Sequence, residues 1–200
     1  MKSVSIMRHF AALLFALVLP GLLAGCTTTP LAPQDKAVLV TVTDLQSMGA
    51  TLPAAFTEFE RTSKTRRIDG GVELEYHFDA RTAGQGYPYI YTTINQETTV
   101  SSAVAAYGSV KAGLSMTGVE TRNDSGHFRY GDWSYFGTLL AGGEAYGFIF
   151  YMRDDLTVYT LMISGIPMDV NIMWEQLLLP RLEMLSRIDS QSIAASIVVR

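Results

Sequence analysis

The 200-residue chain contains one cysteine and three histidines. A single thiol closes no intramolecular disulfide and builds no zinc knuckle, so a disulfide scaffold and a zinc-finger protein are both excluded. Charge is scarce too: 17% charged against 48% hydrophobic residues excludes a disordered tail. Catalytic signatures are missing, with no GxSxG elbow, no HExxH and no glycine-rich phosphate loop. Past residue 26 the histidines are His77 and His127, and either would have to be the base of any Ser-His system. Ser125 lies too near His127 along the chain for spacing to indicate a triad. Asp154 and Asp155 fit a turn and lack the regularly spaced oxygens of a calcium loop. The expectation is a chain with no catalytic residue, no metal and no cofactor.

What is present begins at the amino terminus. Lys2 and Arg8 precede FAALLFALVLPGLL, an apolar run over residues 10–23, and Leu23, Ala24, Gly25 and Cys26 follow at its end. A basic start, a short apolar run and small residues before a cut site are the parts of a secretory signal. The run falls short of the roughly 20 residues that span a bilayer. Leu-Ala-Gly-Cys resembles the lipobox of bacterial lipoproteins. The resemblance implies removal of residues 1–25, diacylation of the Cys26 thiol and acylation of its new amino group, with palmitate-like chains. Two or more buried chains give stable anchoring where one does not. The competing reading is an incidental thiol after a conventional or uncleaved signal. Aspartate after the cysteine commonly favours retention in the inner membrane; Thr27 stands there instead, which points to the outer membrane, facing the periplasm.

Loss of Lys2 and Arg8 leaves 13 basic against 19 acidic residues, a net charge of −6. Such a domain repels nucleic acid and anionic headgroups, and apart from Lys64, Arg66 and Arg67 the basic residues do not cluster. Residues 26–35, with their threonines and prolines, read as an extended tether. Residues 36–188 form one domain of ordinary size, and 189–200 a tail with a short strand expected over 193–199.

Val38, Val40 and Val42 alternate as an opening strand. A hairpin follows over 56–79, where Val72, Leu74, Tyr76 and Phe78 give a buried face and Glu73, Glu75, His77 and Asp79 a solvated one. A two-residue turn at Asp69-Gly70 would set Arg66 opposite Glu73 and Lys64 opposite Glu75. Tyr87, Tyr89 and Tyr91 share one face of the next strand, either packed under a helix or forming an aromatic platform for a ligand or partner. Over 97–116 the period becomes helical, with Val100, Val104, Tyr107 and Leu114 on the buried stripe and a side of small residues packed on the sheet. Three strands then run through WSYFGTLLA, EAYGFIFYMR and LTVYTLMIS, with turns at Gly142-Gly143 and Arg153-Asp155. The last helix carries Val170, Met173, Trp174, Leu177 and Leu178; Pro180 should kink or split it, a break there freeing Arg181, after which Leu182, Leu185 and Ile188 resume the stripe.

The fold class expected is α+β, an antiparallel sheet of about six to eight strands with two principal helices. This element order resembles the PsbP/Mog1-like sandwich, whose members commonly serve as non-catalytic binding or assembly modules. A cystatin-like or NTF2-like cone, curving around the tyrosines, is the alternative. Two functions follow: a lipid-anchored binding module docking a protein partner in the cell envelope, or a small-ligand carrier or weak hydrolase lined by Tyr87, Tyr89 and Tyr91.

Overall fold

The computed structural model describes residues 27–52, 55, 57–81, 88–116, 119–166 and 168–187. Cys26 with Leu23, Ala24 and Gly25, Tyr87, Ile188 and the strand expected over 193–199 lie outside these residues.

Eight strands form one antiparallel sheet: β1 (Thr27–Thr29), β2 (Thr57–Arg66), β3 (Val72–Arg81), β4 (Tyr89–Gln96), β5 (Glu120–Asn123), β6 (Trp133–Ala141), β7 (Glu144–Asp154) and β8 (Thr157–Ser164). Their order is β1-β2-β3-β4-β8-β7-β6-β5. Two four-stranded meanders therefore run inward from opposite edges and meet where β4 pairs β8. The helices are α1 (Pro33–Ala37), α2 (Val42–Ser47), α3 (Val100–Met116) and a carboxy-terminal α4 over 170–187. The α+β antiparallel class expected from the sequence is the observed one.

Alternation decides which strand faces meet which helices. On one face Tyr76, Phe78, Ile90, Phe136, Phe150 and Leu161 pack with Val38, Leu39 and Leu45 from the amino-terminal segment and with Met173, Leu177, Leu178 and Leu182 of α4. This is the larger core. On the other face α3 lies over β7, β8 and β4, and Tyr107, Val110 and Leu114 pack against Ile149, Tyr151 and Met162. Gly147 lets β8 approach closely, because a Cβ there would collide with the Ile163 carbonyl.

Five expectations change. Val38, Leu39 and Val40 are all buried and none is in a strand; the segment passes between sheet and α4 and is flanked by two short helices. Thr41 starts α2 with a capping box, its side-chain oxygen accepting from the Asp44 N–H while Asp44 accepts from the Thr41 N–H at 2.8 Å. The expected tether is part of the fold: β1 pairs with β2, Leu31 is in the core, and Lys64 donates to Asp35 at 2.8 Å.

The β2–β3 hairpin is shifted by one residue from the register that a two-residue turn would set. Arg66 pairs with Val72, Lys64 with Leu74 and Ser63 with Glu75. Arg67 accepts a backbone bond from Gly70 and donates one to Gly71. The three residues between Arg67 and Gly71 match a three-residue loop with a left-handed glycine, Gly70 at φ +90°.

On α3, Val100 and Val104 are 49% and 37% exposed, and Ala103 is the helix's one fully buried residue. The small residues Ser101, Ala105, Gly108 and Ser109 face solvent instead of the sheet. In α4 the chain does not break at Pro180. Residues Met173–Leu178 form a π turn, in which the Leu179 N–H reaches the Trp174 carbonyl, and helix continues over 179–187. The wider turn accommodates the pyrrolidine ring. Arg181 is therefore not freed: it donates to the Leu39 carbonyl at 3.1 Å and the Leu177 carbonyl at 2.9 Å and pairs with Asp44 at 2.6 Å. It ties α4 to α2.

Candidate functional site

The half of the second face built by β2, β3 and β4 collects the sequence-predicted candidates. Antiparallel register places Arg61 opposite His77, and His77 opposite Tyr91. It also places Phe59 opposite Asp79, and Asp79 opposite Tyr89. The expected solvated row is not solvated: Glu75 is 8% and His77 6% exposed. Three aromatic rings enclose His77, those of Phe59, Tyr89 and Tyr91, with centroids at 5.3, 5.2 and 6.1 Å. All three meet it edge-on, the arrangement that aligns ring quadrupoles favourably. Glu75 is held by an ion pair with Arg61.

Burial rules the electrostatics here. It lowers the His77 pKa below its ordinary value against the opposing pull of Glu75 and Asp79, so the imidazole is biased toward its neutral form. Burial also raises Glu73, helped by its neighbour Glu75, and pushes the Tyr91 hydroxyl well above the usual phenol range. Asp79 Oδ1 has no hydrogen-bond partner among the described residues.

Tyr89 and Tyr91 thus share the His77 face and not a platform of their own. Tyr89 is 7% exposed, and both tyrosines belong to the cluster beneath α3. Their rings are committed to packing. Phe59, by contrast, is 48% exposed, and sequence reasoning missed it. It is the one large apolar side chain in the otherwise polar strand TEFERTSKTR, a signal that becomes readable once its partner strand is fixed.

His127 is exposed and distant in sequence from this cluster, sitting in the β5–β6 connection, with its ring 6.2 Å from Phe128. The structure does not bring the two histidines into the ring contacts around His77. Ser125, next to His127, exchanges hydrogen bonds with the Phe136 backbone and so closes the β5–β6 connection. Among the described residues no group of three His, Cys, Asp or Glu side chains is arranged to hold a metal ion, and no helix is long and apolar enough to cross a membrane.

One further element bounds the site. Arg67 clamps Glu97 in two parallel bonds at 2.9 and 2.5 Å, and the Glu97 side chain is 4% exposed. Glu97 thereby joins the β2–β3 loop to the end of β4. The helix is capped by Thr99, whose hydroxyl accepts from the Ser102 N–H at 3.1 Å.

Comparison with protein-family models, with curated proteins and with solved structures finds no match to this chain.

Proposed function

We propose that the protein is a lipid-anchored, non-catalytic binding module of the bacterial cell envelope, held through Cys26 and docking a protein partner on the β2–β4 half-face. The observation that carries the docking surface is the exposed Phe59 ring seated on an enclosed His77. A half-exposed phenylalanine resting on a packed aromatic base is preorganised for a partner. Arg61, paired with Glu75 and itself part-exposed, keeps its surroundings polar at the rim. The commitment of Tyr89 and Tyr91 to packing favours this reading over a carrier with a tyrosine-lined cavity. The order of strands and helices supports reading the sandwich as PsbP/Mog1-like, and Thr27 after the cysteine supports the outer membrane.

The anchor is tested by growing cells with an alkyne fatty acid. The wild-type chain is expected to label and Cys26→Ser to stay dark; equal labelling of the two contradicts the anchor. The docking surface is tested by Phe59→Asp, checked by circular dichroism for an intact fold. Loss of a partner that co-purifies with the wild type from solubilised envelopes is the expected result; undiminished recovery contradicts the assignment.

A further inference from the structure

The place where the chain joins the sheet decides which end of the domain a lipid on Cys26 holds at the bilayer. Thr27 pairs with Arg66, and β1 runs antiparallel to β2. The direction of β1 at Thr27 therefore points past Arg66, toward the end of the sheet where β2 turns into β3. Cys26 is bonded directly to Thr27, so a lipid on its thiol is tied to this end of the sheet with no intervening residue. Several segments share this end. A Cβ on Gly70 would stand 3.7 Å from the Thr98 methyl group. Glu97 donates its N–H to the Leu156 carbonyl at 2.9 Å, and Asp132 donates to the Arg153 carbonyl at 2.9 Å. The β2–β3 loop, the start of α3, the β7–β8 turn and the start of β6 thus make one surface. Ile68 and Val100 are 63% and 49% exposed on it, and Trp133, 48% exposed, packs on Tyr107 with the Arg153 guanidinium 4.6 Å over its ring.

We infer that this end of the sheet is a membrane-contacting surface, with Ile68, Val100 and Trp133 entering the headgroup region of zwitterionic phospholipid beside the acylated Cys26. The inference rests on the lipid-anchor reading above. Tryptophan suits that region because its ring is apolar and its N–H remains wet. Charge selects the lipid: Asp69, Asp132 and Asp155 are exposed here against one exposed cation, Arg66, while Arg67 and Arg153 are engaged by Glu97 and Asp132. Anionic headgroups are repelled by such an end, and insertion is driven by apolar area.

Acylation leaves no free thiol in the native chain, so a single introduced cysteine reports cleanly. Ile68→Cys and, as control, Met116→Cys are labelled with an environment-sensitive fluorophore in the full-length gene product, extracted from cells and reconstituted in phosphatidylcholine vesicles. Met116 is 64% exposed and lies at the far end of the 17-residue α3, about 25 Å from Val100 at 1.5 Å per residue. Intact mass reports whether Cys26 is acylated. A nitroxide-bearing phosphatidylcholine is expected to quench the label at 68 several-fold more than at 116, with no gain when phosphatidylglycerol is added. An acylated chain whose two labels are quenched equally overturns the orientation alone, and a gain with phosphatidylglycerol overturns the choice of lipid. An unacylated Cys26 overturns both this inference and the anchor.

Discussion

The two faces of the central sheet solve burial in different ways. Beneath α1, α2 and α4 nearly every side chain is apolar, and Tyr76 and Thr92 meet fixed backbone partners. Tyr76 accepts from the Val42 N–H at 3.0 Å and Thr92 donates to the Val40 carbonyl at 2.9 Å. On the opposite face α3 covers β7, β8 and β4, while the half toward β2 buries carboxylates and an imidazole under aromatic rings. A face that buries polar groups gives up hydrophobic stabilisation and gains chemical identity at its surface. The first face makes the fold, and the second presents a specific surface.

That contrast is broken most directly in the larger core. Phe150 is 1% exposed and touches the rings of Phe136, Tyr159 and Trp174. Phe150→Ala is expected to cost about 3 to 5 kcal/mol, the usual range for emptying an aromatic site, read by urea unfolding. Arg67→Ala comes next. It strands the buried Glu97 carboxylate, and the expected loss is about 2 to 4 kcal/mol; adding Glu97→Gln should recover part of it, and no recovery would show that the pair does not act as a unit.

The polar half-face should reveal itself through pH. His77 titrates below its ordinary value in the fold, so below about pH 6.5 the unfolded chain binds more protons than the native one. Its contribution is therefore present above that pH and lost as pH falls toward the folded value. Chemical unfolding between pH 7.5 and 5.5 should show stability falling with acid in the wild type and falling less in His77→Gln. Identical slopes for wild type and His77→Gln would contradict the enclosure of His77. The smallest effect belongs to the exposed stripe of α3, where Val104→Lys should change stability by no more than about 0.5 kcal/mol.

Strand content was legible because alternation survives in VELEYHFD and because the three later strands of the second meander are apolar runs bounded by turn residues. What misled was whatever depends on partners far along the chain. The hairpin register moved by one because Gly70 adopts a left-handed conformation inside a longer loop, which a pair of residues does not announce. Val38, Leu39 and Val40 mimic a strand, yet they are buried by α4 from the other end of the chain. Helical spacing on α3 located the helix, but which of its faces met the sheet was set by Ala103 and Tyr107 and by the tilt across β7 and β8. The candidate site was half visible: Tyr89 and Tyr91 stand out in the sequence while His77 reads as part of a solvated face; their union required strand pairing, and Phe59 required knowing what lies beside it.

The central claim is that the chain acts by docking through the Phe59 half-face. A photo-crosslinking amino acid placed at Phe59 and, separately, at Met184, 40% exposed on α4, tests it in intact cells. The expected result is a discrete crosslinked species from position 59 that Cys26→Ser reduces and that position 184 does not give. Crosslinks from 184 alone, or the same species from both positions, would contradict it.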